Sequence, residues 1–146
     1  MRKVFVMLAM IYLYGCAMAP VPNQSEQAFQ NAAISLKDNK YSEAIAVYRK
    51  IVAEDPGSEL AADASFELAL VLIAQDNPQN DLIKAISEFE IFLKRYPNNK
   101  RSYDAQIWIS ALKAILELKK ENEHLKKNID QLKRLDIRHE ERRNTR

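Results

Sequence analysis

The chain has 146 residues and a formal net charge of +2, from 22 basic and 20 acidic side chains, which is enough for one modest domain. With two glycines, two histidines and one cysteine, it leaves no room for a Gly-rich phosphate loop, a Cys/His metal cluster or an intrachain disulfide. Alanine, leucine, isoleucine, lysine and glutamate dominate, and no stretch alternates apolar and polar residues, so an all-α protein is expected.

The first element is a leader. Met1-Arg2-Lys3 is a positive start, and Val4 to Tyr14 is an unbroken apolar run of 11 residues followed by small residues. That is the layout of an export signal. It is too short to span a bilayer, which takes ~20 apolar residues. The lone cysteine, Cys16, follows directly in Leu13-Tyr14-Gly15-Cys16. These residues resemble the bacterial lipobox, although Tyr14 departs from its preference for a small or short aliphatic residue. The resemblance implies removal of residues 1–15, a lipid such as palmitate on Cys16, and a lipidated tether over 16–24. Two other readings compete: an A-x-A cleavage site at Ala17-Met18-Ala19, with Pro20 an unfavourable residue after the cut, and an unmodified free thiol. Without Arg2 and Lys3 the remaining chain has 20 basic and 20 acidic residues, so its formal charge is zero. The charge is therefore no argument for nucleic-acid binding.

Four helices are expected next, at about 25–38, 42–54, 58–75 and 81–95, with Ser25, Ser42, Ser58 and Asp81 as N-caps. A fifth begins near Ser102 and meets no Gly or Pro up to the C-terminus. An internal repeat runs through these elements. At a shift of 41 residues Ala44 falls on Ala85, Ile45 on Ile86, Tyr48 on Phe89 and Pro56 on Pro97; beyond the prolines Ala64 falls on Ala105 and Phe66 on Ile107. The small alanine lets two helices approach, the aromatic four positions on fills the same face, and the proline ends the helix.

Ala44/Tyr48/Pro56 and Ala85/Phe89/Pro97 resemble the second helix of the tetratricopeptide repeat. The resemblance covers about residues 24–118 and implies about two and a half helical hairpins in a repeat domain over 25–118. The usual period is about 34 residues, so the longer shift places an insertion at 76–81. The first-helix signature departs from the family: Ala28 and Ala32 stand where an aromatic and a small residue are usual.

Residues 119–146 form a charged end with coiled-coil character, holding 10 basic and 6 acidic side chains. Ile115, Asn122 and Ile129 are seven apart, as are Leu118, Leu125 and Leu132. Together they make an a/d heptad seam. β-branched residues at a with leucine at d favour a parallel pair, and Asn122 at an a position sets register. The seam fits either a homodimer or a single helix lying back on the repeats. After Leu135 apolar residues thin out, and fraying is expected there.

No catalytic, cofactor-binding or metal-ligating set emerges. His139-Glu140-Glu141 lacks the second histidine of a zinc-protease motif. Trp108 and the other aromatics recur at helical spacing, as core residues do. The chain is read as a non-enzymatic protein-interaction module with envelope proteins as partners, a membrane contact through lipid alone, and no nucleic acid. Its lipobox, short helical domain and charged end resemble small envelope lipoproteins associated with two-component sensor kinases. More distantly they resemble the lipoprotein that serves outer-membrane β-barrel assembly, which is much longer. Ala17, rather than aspartate, after Cys16 implies the outer membrane, facing the periplasm. A small periplasmic enzyme subunit would need a pocket with converging polar groups, which the sequence does not offer.

Overall fold

The computed structural model describes residues 24–78 and 80–144. The leader, Cys16 and the tether up to residue 23 lie outside the described residues. Five helices follow in order: α1 (Gln24–Lys37), α2 (Tyr41–Glu54), α3 (Glu59–Ile73), α4 (Leu82–Arg95) and α5 (Ser102–Asn144). There is no strand among the described residues. Each helix packs on the next, and α1 also touches α3. The architecture is two tetratricopeptide-like hairpins, α1–α2 and α3–α4, followed by the long α5.

Helix α3 lies at the centre. It is apolar nearly all round, with Ala61, Ala62, Ala64, Phe66, Leu68, Ala69, Val71 and Leu72 buried, as a helix enclosed on several sides must be. Ala44 and Ala85 are fully buried, and so are Tyr48 and Phe89 one turn later. Phe29 packs on Tyr48 with ring centroids 5.3 Å apart. Phe66 packs on Phe89 in the same way at 5.2 Å. The aromatic of the first helix is therefore Phe29, and Ala32 one turn on is the small buried residue. The aromatic of the signature thus stands one position after Ala28, while Ala32 keeps the place expected of the small residue.

The turns explain the helix ends. Between α1 and α2, Asn39 adopts φ 59°, while Lys40 N–H donates to the Ser35 carbonyl at 2.8 Å and Asn39 N–H to that of Leu36 at 3.1 Å. This is a Schellman closure, with asparagine tolerating the left-handed conformation. The closure is so tight that α2 restarts at Tyr41, so Ser42 lies inside the helix. The N-cap is Lys40, without a side-chain cap bond, which corrects the expectation for Ser42. Ser25 likewise lies within α1. Ser58 does cap α3, its hydroxyl accepting from Ala61 N–H at 3.1 Å.

Pro56 and Pro97 each follow the C-cap residue of their helix, Asp55 and Tyr96. The two turns touch: the Tyr96 hydroxyl donates to the Pro56 carbonyl at 2.8 Å. The longer α3–α4 connection is tied down by two asparagines. The buried Asn77 side-chain amide donates to the Val71 carbonyl at 2.8 Å, and Asn80 donates to that of Ala74 at 3.0 Å. These carbonyls belong to the end of α3, which otherwise leaves its last turn unsatisfied.

Asp81 caps α4, one carboxylate oxygen accepting from Ile83 N–H at 3.1 Å and Lys84 N–H at 3.0 Å. Those bonds, the Lys84 backbone bond first, hold its carboxyl below the ordinary carboxylate range, with the Lys84 ammonium adding to them. A carboxyl whose pKa is depressed in the folded state stabilises above its unfolded pKa and loses that contribution as pH falls through the folded value. Asp81→Ala is thus expected to melt at a lower temperature than the parent at neutral pH. The gap should close as the medium is acidified below the carboxylate range, and paired melts along a pH series would show it.

Helix α5 runs unbroken to Asn144, past the point where fraying was expected and with no break between residues 118 and 119. No proline or glycine interrupts it. Local contacts continue to its end: Arg138 donates to the Arg134 carbonyl at 3.3 Å, and Arg143 lies 3.8 Å from Glu140 one turn earlier.

Candidate protein-binding surfaces

The first helices of the hairpins, α1 and α3, border an open groove. Glu26, Gln30 and Asn31 of α1 form one wall and Leu60 and Asp63 of α3 the other, with Phe29 at the floor. Further along α3, Arg101 stands over the Phe66 ring with its guanidinium carbon 3.7 Å from the centroid. The same guanidinium donates to Glu67 at 2.8 Å and lies 4.0 Å from Asp63. A cation held on an aromatic face and by a carboxylate is a stiff element, so Arg101 braces the α4–α5 turn against α3. Arg101 escaped the sequence reading, because its three partners lie more than 30 residues away along the chain. The Tyr48 hydroxyl is pushed up to about 12 by burial and then by the charge of Glu67, so it stays neutral at any physiological pH.

A second groove lies on the other side, between α2 and α4. Val52, Pro56, Leu68 and Ile91 supply apolar surface there, and Arg49, Glu88 and Arg95 supply charge.

Helix α5 presents two faces of different fate. Ala105 and Leu112 are buried, and Ile109 and Leu116 are packed against the core; these turn toward α4, which α5 contacts. Trp108 sits at the edge, its ring parallel to that of Phe89 with centroids 6.4 Å apart. The repeat alignment pairs Phe66 with Ile107, but Phe66 is 2% exposed and Ile107 51%. The reason is positional. Helix α3 has a neighbour on both sides, whereas α5 follows α4 and no later helix covers it among the described residues. The seam continues this open character: Ile115, Leu118, Leu125, Ile129 and Leu132 are all at least 41% exposed, and Asn122 between them is exposed as well. The seam therefore does not lie back on the repeats.

Among the described residues no three His, Cys, Asp or Glu side chains gather as metal ligands, and no helix is long and apolar enough to cross a membrane. His124 and His139 both lie on exposed turns of α5.

No curated protein matches the chain. The family model for the tetratricopeptide repeat matches residues 4–58, a stretch that takes in α1 and α2 and begins inside the apolar run read as an export signal. Residues 4–23 thus carry two assignments, leader and tether in the one and start of a repeat in the other. The match supports a tetratricopeptide-repeat protein, and with it a fold that generally serves protein–protein interaction.

Proposed function

We propose that this protein is a lipid-anchored interaction module facing the periplasm, a scaffold or regulator within an envelope complex. One observation carries the reading: Cys16 stands directly behind an 11-residue apolar run and a short distance ahead of a repeat fold whose grooves are open. Stacked helical hairpins offer extended surfaces to peptides and helices of other proteins. The lipid would hold those surfaces near the membrane, and Ala17 after the cysteine favours the inner leaflet of the outer membrane. The resemblance to small lipoproteins associated with sensor kinases makes a signalling accessory the preferred role. A part in outer-membrane protein assembly is the alternative. The grooves carry scattered charges and no converging nucleophile and base, which favours binding over catalysis.

Two experiments test this. Cys16→Ser is expected to abolish lipid attachment and either release the protein from the membrane fraction or leave its leader uncleaved. A variant that is processed and fractionates like the parent would overturn the anchor and leave residues 4–23 to the repeat. Crosslinking in intact membranes followed by affinity capture is expected to recover a sensor kinase. Recovery of barrel-assembly proteins instead would favour the alternative.

A further inference from the structure

We propose that α5 joins a second copy of this chain in a parallel, in-register two-stranded coiled coil along Ile115, Leu118, Asn122, Leu125, Ile129 and Leu132. This goes beyond the proposed function and stands whether or not Cys16 carries lipid.

The geometry of α5 removes the repeat domain as the occupant of this seam. Its opposite face, through Ala105 and Leu112, is spent on α4. Beyond Leu116 the helix continues to Asn144, extending about 40 Å past the repeats at 1.5 Å per residue. From Ile115 to Leu132 every a and d position except Asn122 holds an apolar residue left open to solvent. A solenoid end that faces water is normally polar, and this one is not.

Charge selects the partner and its direction. The seam's flanking e positions are Lys119, Lys126 and Lys133, and two of its g positions are Glu121 and Asn128. In a parallel pair each e residue meets the g residue of the preceding heptad on the other chain. Lys126 then faces Glu121 of the second copy, twice by symmetry, and Lys133 faces Asn128. An antiparallel pair sets e against e, so lysine would meet lysine along the whole seam. Asn122 adds to the choice. Its side chain makes only a long 3.4 Å bond to the Leu118 carbonyl of its own helix. In a parallel pair it meets its own copy across the axis, the arrangement by which a single a-position asparagine specifies two strands in one register. Isoleucine at the other a positions with leucine at d favours the same state. A parallel pair places both repeat domains at the same end, so one assembly presents two copies of each groove and gains avidity toward a repeated partner.

The test uses the full chain in the cells that make it, with the parent protein reporting any crosslink through Cys16. Leu125→Cys, at d, is expected on mild oxidation to give a covalent species of twice the mass that the parent shows on the same gel, and Leu118→Cys the same. Lys127→Cys, at the outer f position, should give no more than the parent. Lys126→Glu in the Leu125→Cys background should reduce the crosslinked fraction several-fold, and adding Glu121→Lys should restore it. The proposal is overturned if neither d-position cysteine crosslinks, or if Lys127→Cys crosslinks as well as they do. It is equally overturned if Leu118→Cys links only to Ile129→Cys in cells that make both variants, which would mean antiparallel pairing with d facing a, or if the charge reversal is not rescued.

Discussion

Phe89→Ala is expected to remove about 3–5 kcal/mol from the repeat domain, the usual cost of deleting a buried aromatic. Phe89 has no exposed surface. From α4 it touches the Phe66 ring of α3 on one side, edge to face at 5.2 Å, and stacks on Trp108 of α5 on the other. The cavity would therefore lie where three helices meet, and each of them is fixed by further contacts that resist collapse into it. Aromatic pairing adds ~0.5–1.5 kcal/mol per pair beyond area burial. Since a domain of this size has only ~5–15 kcal/mol in total, a chain beginning at residue 24 should show a urea midpoint far below that of the parent, with part of the population unfolded before any urea is added. A midpoint unchanged within error would mean that α4 does not sit between α3 and α5 as described.

Ala85→Leu tests the opposite error, too much volume. Ala85 is fully buried on α4, one turn before Phe89, against the neighbouring helices. Extra carbons in such a contact force side chains off their rotamers or push the helices apart, at ~1–3 kcal/mol. For a domain of 60–100 residues each kcal/mol moves the melting temperature by roughly 4–8 °C, so calorimetry should register a clear drop. Ala85→Ser, a smaller change, should lose much less. If the leucine variant melts with the parent, Ala85 faces solvent and the repeat alignment that equates it with Ala44 is out of register.

Much of this fold was legible in the chain because its signals are local and recur. The alanine–aromatic–proline spacing of 44/48/56 and 85/89/97 marks the second helix of each hairpin, and both alanines and both aromatics are buried. Ser58 and Asp81 read as N-caps because a side-chain acceptor ahead of an apolar run has few better uses than the first free N–H groups of the helix. Ser42 carried the same signal and failed. The turn before it closes through Asn39 with a positive φ, and the helix resumes before Ser42 can stand outside it. Asn77, followed by Pro78 in the inserted connection, reads as a loop residue. It is buried because it satisfies a carbonyl at the end of α3.

The sequence by itself determined the helices, their repeat and the heptad seam, since periodicity, small residues and breakers act within a few turns of chain. Tertiary structure decided which partner each face meets. It matched Phe29, not Ala28, to Tyr48, and it joined Arg101 to Phe66, Asp63 and Glu67 across more than 30 residues. It also turned the Ala105–Leu112 face of α5 inward and left Ile107 and the seam outside. The physical reason is that an apolar stripe records only that a surface should leave water. What covers that surface depends on where neighbouring helices lie, and among the described residues α5 has a neighbouring helix on one side alone.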